Sequence, residues 1–320
     1  MQGVLSLRHA LAAKISSLYG ADYDPHTEIT VTSGATEGVF CAISAFVRPG
    51  DEVVLFEPCY DSYVPVVRLN GGRPVFVTLR FPGYGIDWDE FKAALSPRTR
   101  MVVVNSPHNP TGMVLSPEDL QQLASILDGT DIVVLSDEVY EHMVFDGLRH
   151  ESMCRLPELA ARSCVVSSFG KTFHTTGWKV GYVSAPEALT SEIQRVHQFV
   201  TFATHTPSQL AYAEVSAGRT SYDELATFYE AKRDLFLDLL DGSRFKPVRC
   251  RGTYFQLLDY SAVTSAADHD FAMVLLRDHG VASIPTSAFL YASQAPPVLR
   301  FCFAKRDETL RKAADRLRRV

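Results

Sequence analysis

Two uninterrupted apolar runs, Met101-Val102-Val103-Val104 and Ile132-Val133-Val134-Leu135, restrict the folds open to this chain more than any other feature. A strand with one wet face alternates apolar and polar residues, and these runs leave no polar position for water to meet. Both are short and β-branched, so each reads as a strand covered on both faces. Strands of related texture are expected at 52–56, 73–79, 101–105, 131–136, 164–168 and 181–185. Between them lie residues at helical spacing, such as Val39, Ile43 and Phe46, or Leu120, Leu123 and Leu127. Strands alternating with helices predict an α/β fold whose mainly parallel sheet is flanked by helices on both sides.

From about Tyr222 the texture changes. A long helical pattern at 223–240 leads to a strand-like stretch at 253–258, a helix near 269–279, a strand at 298–303 and a last helix. The expected division is a large α/β domain over 1–221 and a smaller α+β domain over 222–320. The 46% hydrophobic and 21% charged residues suit a folded globular chain. A net charge of −6 does not favour nucleic acid or an anionic membrane. No apolar run approaches the roughly 20 residues that span a bilayer, and no basic-then-apolar leader opens the chain, so export is not expected. The six cysteines are scattered, without a C-x-x-C pair, which predicts reduced thiols, no structural metal and a cytoplasmic protein.

The segment Val165-Val166-Ser167-Ser168-Phe169-Gly170-Lys171-Thr172 ends a strand and places a lysine in the turn beyond it. Ligands of doubly wound sheets bind beyond the carboxyl ends of the strands, where Lys171 could form a Schiff base. Gly170-Lys171-Thr172 ends like a nucleotide-binding P-loop, but that motif needs a glycine where Val165 stands, so it is excluded. Asp137 ends the strand Val133-Val134-Leu135-Ser136, with Tyr140 just after it. A carboxylate there needs a cation or donors, and a pyridinium nitrogen would serve as the cation. Asn105-Ser106-Pro107-His108-Asn109-Pro110 is a stiff loop that fixes the Asn109 amide. Thr32-Ser33-Gly34-Ala35-Thr36 opens a helix, whose free N–H groups suit a phosphate. Tyr60 follows another strand and could stack on a planar ring. Arg300 stands inside the apolar strand Val298-Leu299-Arg300-Phe301 and calls for a carboxylate, from a substrate or from within the chain.

Each of these has a plainer reading. Lys171 could be a surface lysine, Asp137 a helix cap, the Asn109 loop an ordinary turn, and Tyr60 a core or rim aromatic. What distinguishes them is their occurrence together in one order, four of them at strand ends.

The ordered set resembles the class I and II aminotransferases of pyridoxal-5′-phosphate (PLP) fold type I, and most of all their kynurenine, glutamine and methionine subgroup. The resemblance spans essentially the whole chain. It is most specific in Ser136-Asp137-Glu138-Val139-Tyr140, in the stretch from Ser168 to Lys179, and in Arg300-Phe301-Cys302-Phe303. It implies PLP as cofactor, carried by Lys171, with Asp137 at the ring nitrogen. Tyr140 and Asn109 would bond the ring oxygen O3′, and Tyr60 would stack. The N–H groups of Ala35 and Thr36 beside Gly34, with Ser168 and Lys179, would hold the phosphate. Arg300 and Asn109 would take the substrate carboxylate, with Phe202 as a pocket wall. Family members usually carry several tens of residues before the motif that here reads Gly3-Val4-Leu5-Ser6-Leu7-Arg8, including a gating arm and a tyrosine that reaches the partner subunit's phosphate. The expected form is a homodimer whose sequence here begins after that arm. The expected reaction is ping-pong transamination between a neutral L-amino acid and a 2-oxo acid. A β-eliminating C–S lyase and a PLP-binding regulatory or inactive domain are the alternatives.

Overall fold

The computed structural model describes residues 1–217, 222 and 224–320. Seven strands, β1 (Ile29–Thr32), β2 (Glu52–Glu57), β3 (Arg73–Thr78), β4 (Thr99–Asn105), β5 (Val133–Asp137), β6 (Ser163–Ser168) and β7 (Gly181–Ser184), form one sheet in the order β1-β7-β6-β5-β4-β2-β3. Pairings from β6 through to β3 are parallel, and β7 runs antiparallel to both β6 and β1.

The period of two along the strands explains why both central runs are apolar throughout. Val53, Leu55, Met101, Val103, Val133 and Leu135 join one core with Val39, Ala42, Ile43 and Phe46 of helix Gly34–Phe46. Their neighbours Val54, Phe56, Val102, Val104 and Val134 join a second core. There they meet Leu7, Leu11 and Ile15 of helix Leu5–Tyr19, and Leu120, Leu123 and Leu127 of helix Pro117–Leu127. Each fully buried side chain of this kind contributes about 1.5–3 kcal/mol, so a polar residue on either face would be costly. Helix Pro117–Leu127 starts cleanly because Ser116 and Asp119 form a reciprocal capping box with proline in the first turn.

The second sheet is antiparallel, ordered β10-β11-β9-β8 from β8 (Lys246–Pro247), β9 (Phe255–Asp259), β10 (Ile284–Pro285) and β11 (Val298–Cys302). Its core gathers Phe236, Leu258, Phe271, Leu275, Leu299 and Phe301, and it also takes in Tyr140, Met143 and Phe145 from the chain just beyond β5. The strand end bearing Asp137 is thereby tied to the second sheet. The sequence reading missed β1, β8 and β10. The helical pattern expected from residue 223 forms helix Leu225–Leu239. Residue 223 and the boundary expected between 221 and 222, beside 218–221, lie outside the described residues. Among the described residues no helix is long and apolar enough to cross a membrane.

One edge of the large sheet collects the chemistry. Asn105 pairs with Asp137 across β4 and β5, and Gly181 at the start of β7 faces both Ser168 and Thr32. The ends of β1, β4, β5 and β6 and the beginning of β7 therefore open on the same side.

Candidate active site

A cavity of ≈ 450 Å³ lies over that edge and is walled on its far side by the second sheet. Asp137 forms its floor, with only 5% of its surface exposed. One carboxyl oxygen accepts from the Tyr63 hydroxyl at 2.6 Å and the other from the Val139 N–H at 3.3 Å. Burial raises its pKa above the usual carboxylate range, even though Tyr63, Val139 and the charge of Lys171 all favour the ionised form.

Lys171 sits in the single helical turn Phe169–Thr172 that follows β6. Its Nζ donates to Tyr254 Oη at 2.9 Å and lies 5.6 Å from the centroid of the buried Tyr140 ring. Asn105 organises the loop beside them, because its Nδ2 donates to the Asp137 carbonyl and its Oδ1 accepts from the Asn109 N–H, both at 2.8 Å.

Gly34 and Ala35 begin helix Gly34–Phe46, and Thr36 and Ser168 line the same corner. Lys179 reaches across them in left-handed backbone at φ 52°. Two glycines make this corner possible. A Cβ on Gly34, itself at φ +73°, would stand 3.2 Å from Lys179 Nζ, and one on Gly181 would stand 2.7 Å from the Ala35 nitrogen. The result is a helix start with free N–H groups beside an ammonium, the setting an anion seeks. Tyr60 stands above Asp137's neighbour Tyr63, the two rings edge to face at 5.6 Å.

Arg300 projects from β11 into the cavity opposite. Its guanidinium lies over Phe255 at 3.9 Å and Phe289 at 4.8 Å and donates to Asn109 Oδ1 at 2.5 Å. Burial lowers its pKa, opposed through space by Tyr140, Cys302, Tyr254 and Asp61. Among the described residues no carboxylate pairs with it directly, which removes the internal ion pair as the reason for an arginine half-buried in this strand.

The cavity therefore brings together Gly34, Ala35, Thr36, Tyr60, Asn109, Asp137, Tyr140, Ser168, Lys171, Lys179 and Arg300. Phe202 is the exception. It follows helix Glu187–Val200 at φ 68°, is 60% exposed and does not line the cavity of its own chain. Aromatic character alone could not say which way that loop turns. The sequence reading also passed over Tyr63, Asn105, Tyr254, Phe255 and Phe289. Tyr63 stands three residues after Tyr60, and Asn105 was already in the Asn109 loop. Tyr254 carried no signal at all.

This architecture, with a lysine, a carboxylate and an arginine converging over the ends of a mainly parallel sheet, is that of a PLP-dependent transaminase. The chain belongs to the aminotransferase class I and II family, whose pattern matches residues 1–317. Its cofactor is pyridoxal 5′-phosphate. It is 47% identical to the methionine aminotransferase of Escherichia coli (strain K12), over 100% of this chain and 83% of that protein. It is 37% identical to the kynurenine–oxoglutarate transaminase of Dictyostelium discoideum, over 98% of this chain and 81% of that one. An Escherichia coli crystal structure reported with a methionine aminotransferase function superposes with a TM-score of 0.98 at 46% identity, covering 100% of this chain and 84% of the other.

The cavity suits the cofactor on three counts. Asp137 is a buried carboxyl that gains from a cation opposite it, the corner at Gly34 and Lys179 is built for a dianion, and Lys171 presents an amine between them.

Proposed function

We propose that this chain moves the amino group of a neutral L-amino acid, methionine or an aromatic or kynurenine-type donor, to a 2-oxo acid, and that it works as a cytoplasmic homodimer. The observation that carries this reading is Arg300, a half-buried guanidinium bonded to Asn109, facing the same cavity as Lys171 and Asp137.

Lys171 would hold the cofactor covalently, and Asp137 would keep a proton on its ring nitrogen. The N–H groups of Ala35 and Thr36, with Ser168 and Lys179, would bind the phosphate. Tyr60 would cover the ring. Asn109 spends its Oδ1 on Arg300, so its Nδ2 remains to donate to O3′ beside Tyr140. When bound, the cofactor supplies an electron sink that acidifies the substrate Cα–H and carries the amino group between half-reactions. Arg300 fixes the substrate carboxylate by a fork of donors and so aims the Cα–H. Lys171 Nζ would take the Cα proton as general base and give it up again as general acid.

The donor class follows from the charges. The cations lining the cavity are Lys171, Lys179 and Arg300, each with a role above, and the remaining wall includes Phe255, Ile284 and Phe289. Among the described residues a second substrate carboxylate would meet no further cation there and would face Asp61, whereas a thioether or aromatic side chain meets apolar surface. Self-association is supported by the exposed apolar stretch of Phe199, Val200 and Phe202, with Phe199 85% exposed. Six unpaired cysteines suit a reducing compartment.

The test is the absorption spectrum of the PLP-loaded chain before and after borohydride, beside Lys171→Ala. Covalent trapping on Lys171 and bleaching of the visible band by L-methionine are expected. A folded chain that traps no cofactor overturns the reading.

A further inference from the structure

One contact at the site has no part in the chemistry above. Lys171 Nζ rests on Tyr254 Oη at 2.9 Å, 5.6 Å from the Tyr140 ring centroid and 5.5 Å from that of Tyr254. The two rings stand nearly perpendicular, 5.3 Å apart. The amine is thus held by one hydrogen bond and borders two electron-rich ring systems. Tyr254 is itself firmly placed. Its carbonyl accepts from the Phe303 N–H at 3.0 Å, and Thr253 before it is fully buried, at φ 70°, with its N–H on the Met143 carbonyl at 3.0 Å. The second sheet therefore presents a fixed hydroxyl to a lysine carried by the first.

We propose that Tyr254 is the positioning residue that receives the Lys171 amine whenever that amine is not covalently engaged. The inference rests on the role given to Lys171 under the proposed function. An amine displaced by substrate sits on a four-carbon stem with many rotamers, and proton transfer needs it within hydrogen-bond reach of the substrate Cα. A bond to Tyr254 confines the freed amine to one place and reduces its path to a short swing. The Arg300–Asn109 clamp has its own contacts, so substrate binding does not depend on the Tyr254 hydroxyl.

Tyr254→Phe keeps the ring and removes the hydroxyl. With L-methionine, kcat is expected to fall about tenfold while KM stays within about twofold, because the Arg300–Asn109 contacts stay in place; the Tyr254 hydroxyl also bonds Tyr140, so cofactor retention is measured alongside. The isotope effect with Cα-deuterated methionine should rise, since that transfer becomes slower than its neighbours. In the cofactor-free chain, trinitrobenzenesulfonate should label Lys171 at least about threefold faster, read by peptide mass, because the amine no longer leaves a hydrogen bond to react. Far-UV circular dichroism checks the fold of the variant. Unchanged kcat, isotope effect and labelling overturn the inference. So does a loss of activity that follows weaker cofactor retention while labelling stays at the wild-type rate. Wild-type chain that traps no cofactor on Lys171 overturns the functional reading and this inference with it. Normal trapping with an unaltered Tyr254→Phe overturns this inference alone.

Discussion

Asp137 is pulled both ways by its surroundings. Burial favours the neutral carboxyl, and the Tyr63 hydroxyl at 2.6 Å, the Val139 N–H and the Lys171 charge favour the carboxylate. In the chain by itself burial prevails, and a cation opposite the carboxyl reverses the balance. Asp137→Asn keeps the shape and removes the charge. It should lower kcat on the order of a hundredfold and let the cofactor escape faster on dialysis, as expected when a preorganised electrostatic partner is lost. Tyr63→Phe is subtler. Its hydroxyl stabilises the ionised form, so removing it pushes the Asp137 pKa further up. If activity needs the carboxylate, the acid limb of the pH–rate profile then moves to higher pH while the plateau falls about tenfold or less. Steady-state kinetics between pH 5 and 8 would show this shift, and a profile displaced the other way would contradict the role given to Asp137.

Among elements, the end of β2 is held to the second sheet by one side chain. Glu57 is fully buried, and its carboxylate accepts from the N–H groups of Tyr291, Ala292 and Ser293 and from the Ser293 hydroxyl. The Cys59 N–H adds a bond to the Phe289 carbonyl at 2.9 Å. These bonds set Tyr60 against the turn Thr286–Phe289, whose Phe289 covers Arg300. Glu57→Gln points amide hydrogens at N–H donors. It should cost about 1–3 kcal/mol in urea unfolding and raise KM for the amino acid more than it lowers kcat. The same region shows what a sequence can disclose. β4 and β5 were legible because burial on both faces leaves an unbroken apolar run. Asp137 was legible because a carboxylate ends such a run and needs a reason, and Asn109 and Lys171 because each follows closely on a strand end, in a proline-stiffened loop and in a turn. The two-residue strand Ile284–Pro285 is too short to show a period, and β1 has only four residues. Glu57 and its partners lie more than 230 positions apart, and nothing local marks a carboxylate that will meet three backbone N–H groups. Tyr254 is hidden for the same reason, since its partner Lys171 belongs to the other sheet.

At the scale of the whole molecule, buried histidines make stability depend on pH. Burial pushes the His108 pKa down to about 4, opposed by a bond to the Pro58 backbone, and the ring also bonds Thr111 Oγ1 at 2.6 Å. His142 goes down to about 3, through burial and then the charge of Lys14, with Glu141 opposing. Among the described residues its Nε2 is buried without a hydrogen-bond partner, and its ring stacks on Tyr222 at 4.3 Å. Both imidazoles are neutral when folded and take a proton near pH 6.5 when unfolded. Their contribution is complete above pH 6.5 and drains away as the pH falls toward 4 and 3, because the unfolded chain binds the protons first. His197 acts in the opposite sense. Burial lowers its pKa, but the bonds to Glu37 and to the Met1 carbonyl outweigh that and raise it, so its contribution is present at low pH and fades as the pH rises through the raised value. Two groups against one leaves a net loss on acidification. Below pH 6.5 each buried neutral histidine steepens the decline by about 1.4 kcal/mol per pH unit. His142→Phe preserves the stack on Tyr222 and deletes the titration. Urea midpoints of the cofactor-free chain at pH 7.5, 6.5, 5.5 and 5.0 should hold between 7.5 and 6.5 and then fall below pH 6.5, more gently for the variant than for the wild type. The Lys14–Glu141 pair does not confuse the comparison. Burial opposes the Glu141 charge, but Lys14 and the Tyr19 hydroxyl hold its pKa far below the ordinary carboxylate value, so it remains ionised across this range in both proteins. Equal slopes in the two proteins would mean that His142 takes up its proton while folded, and that the space beside Tyr222 admits water.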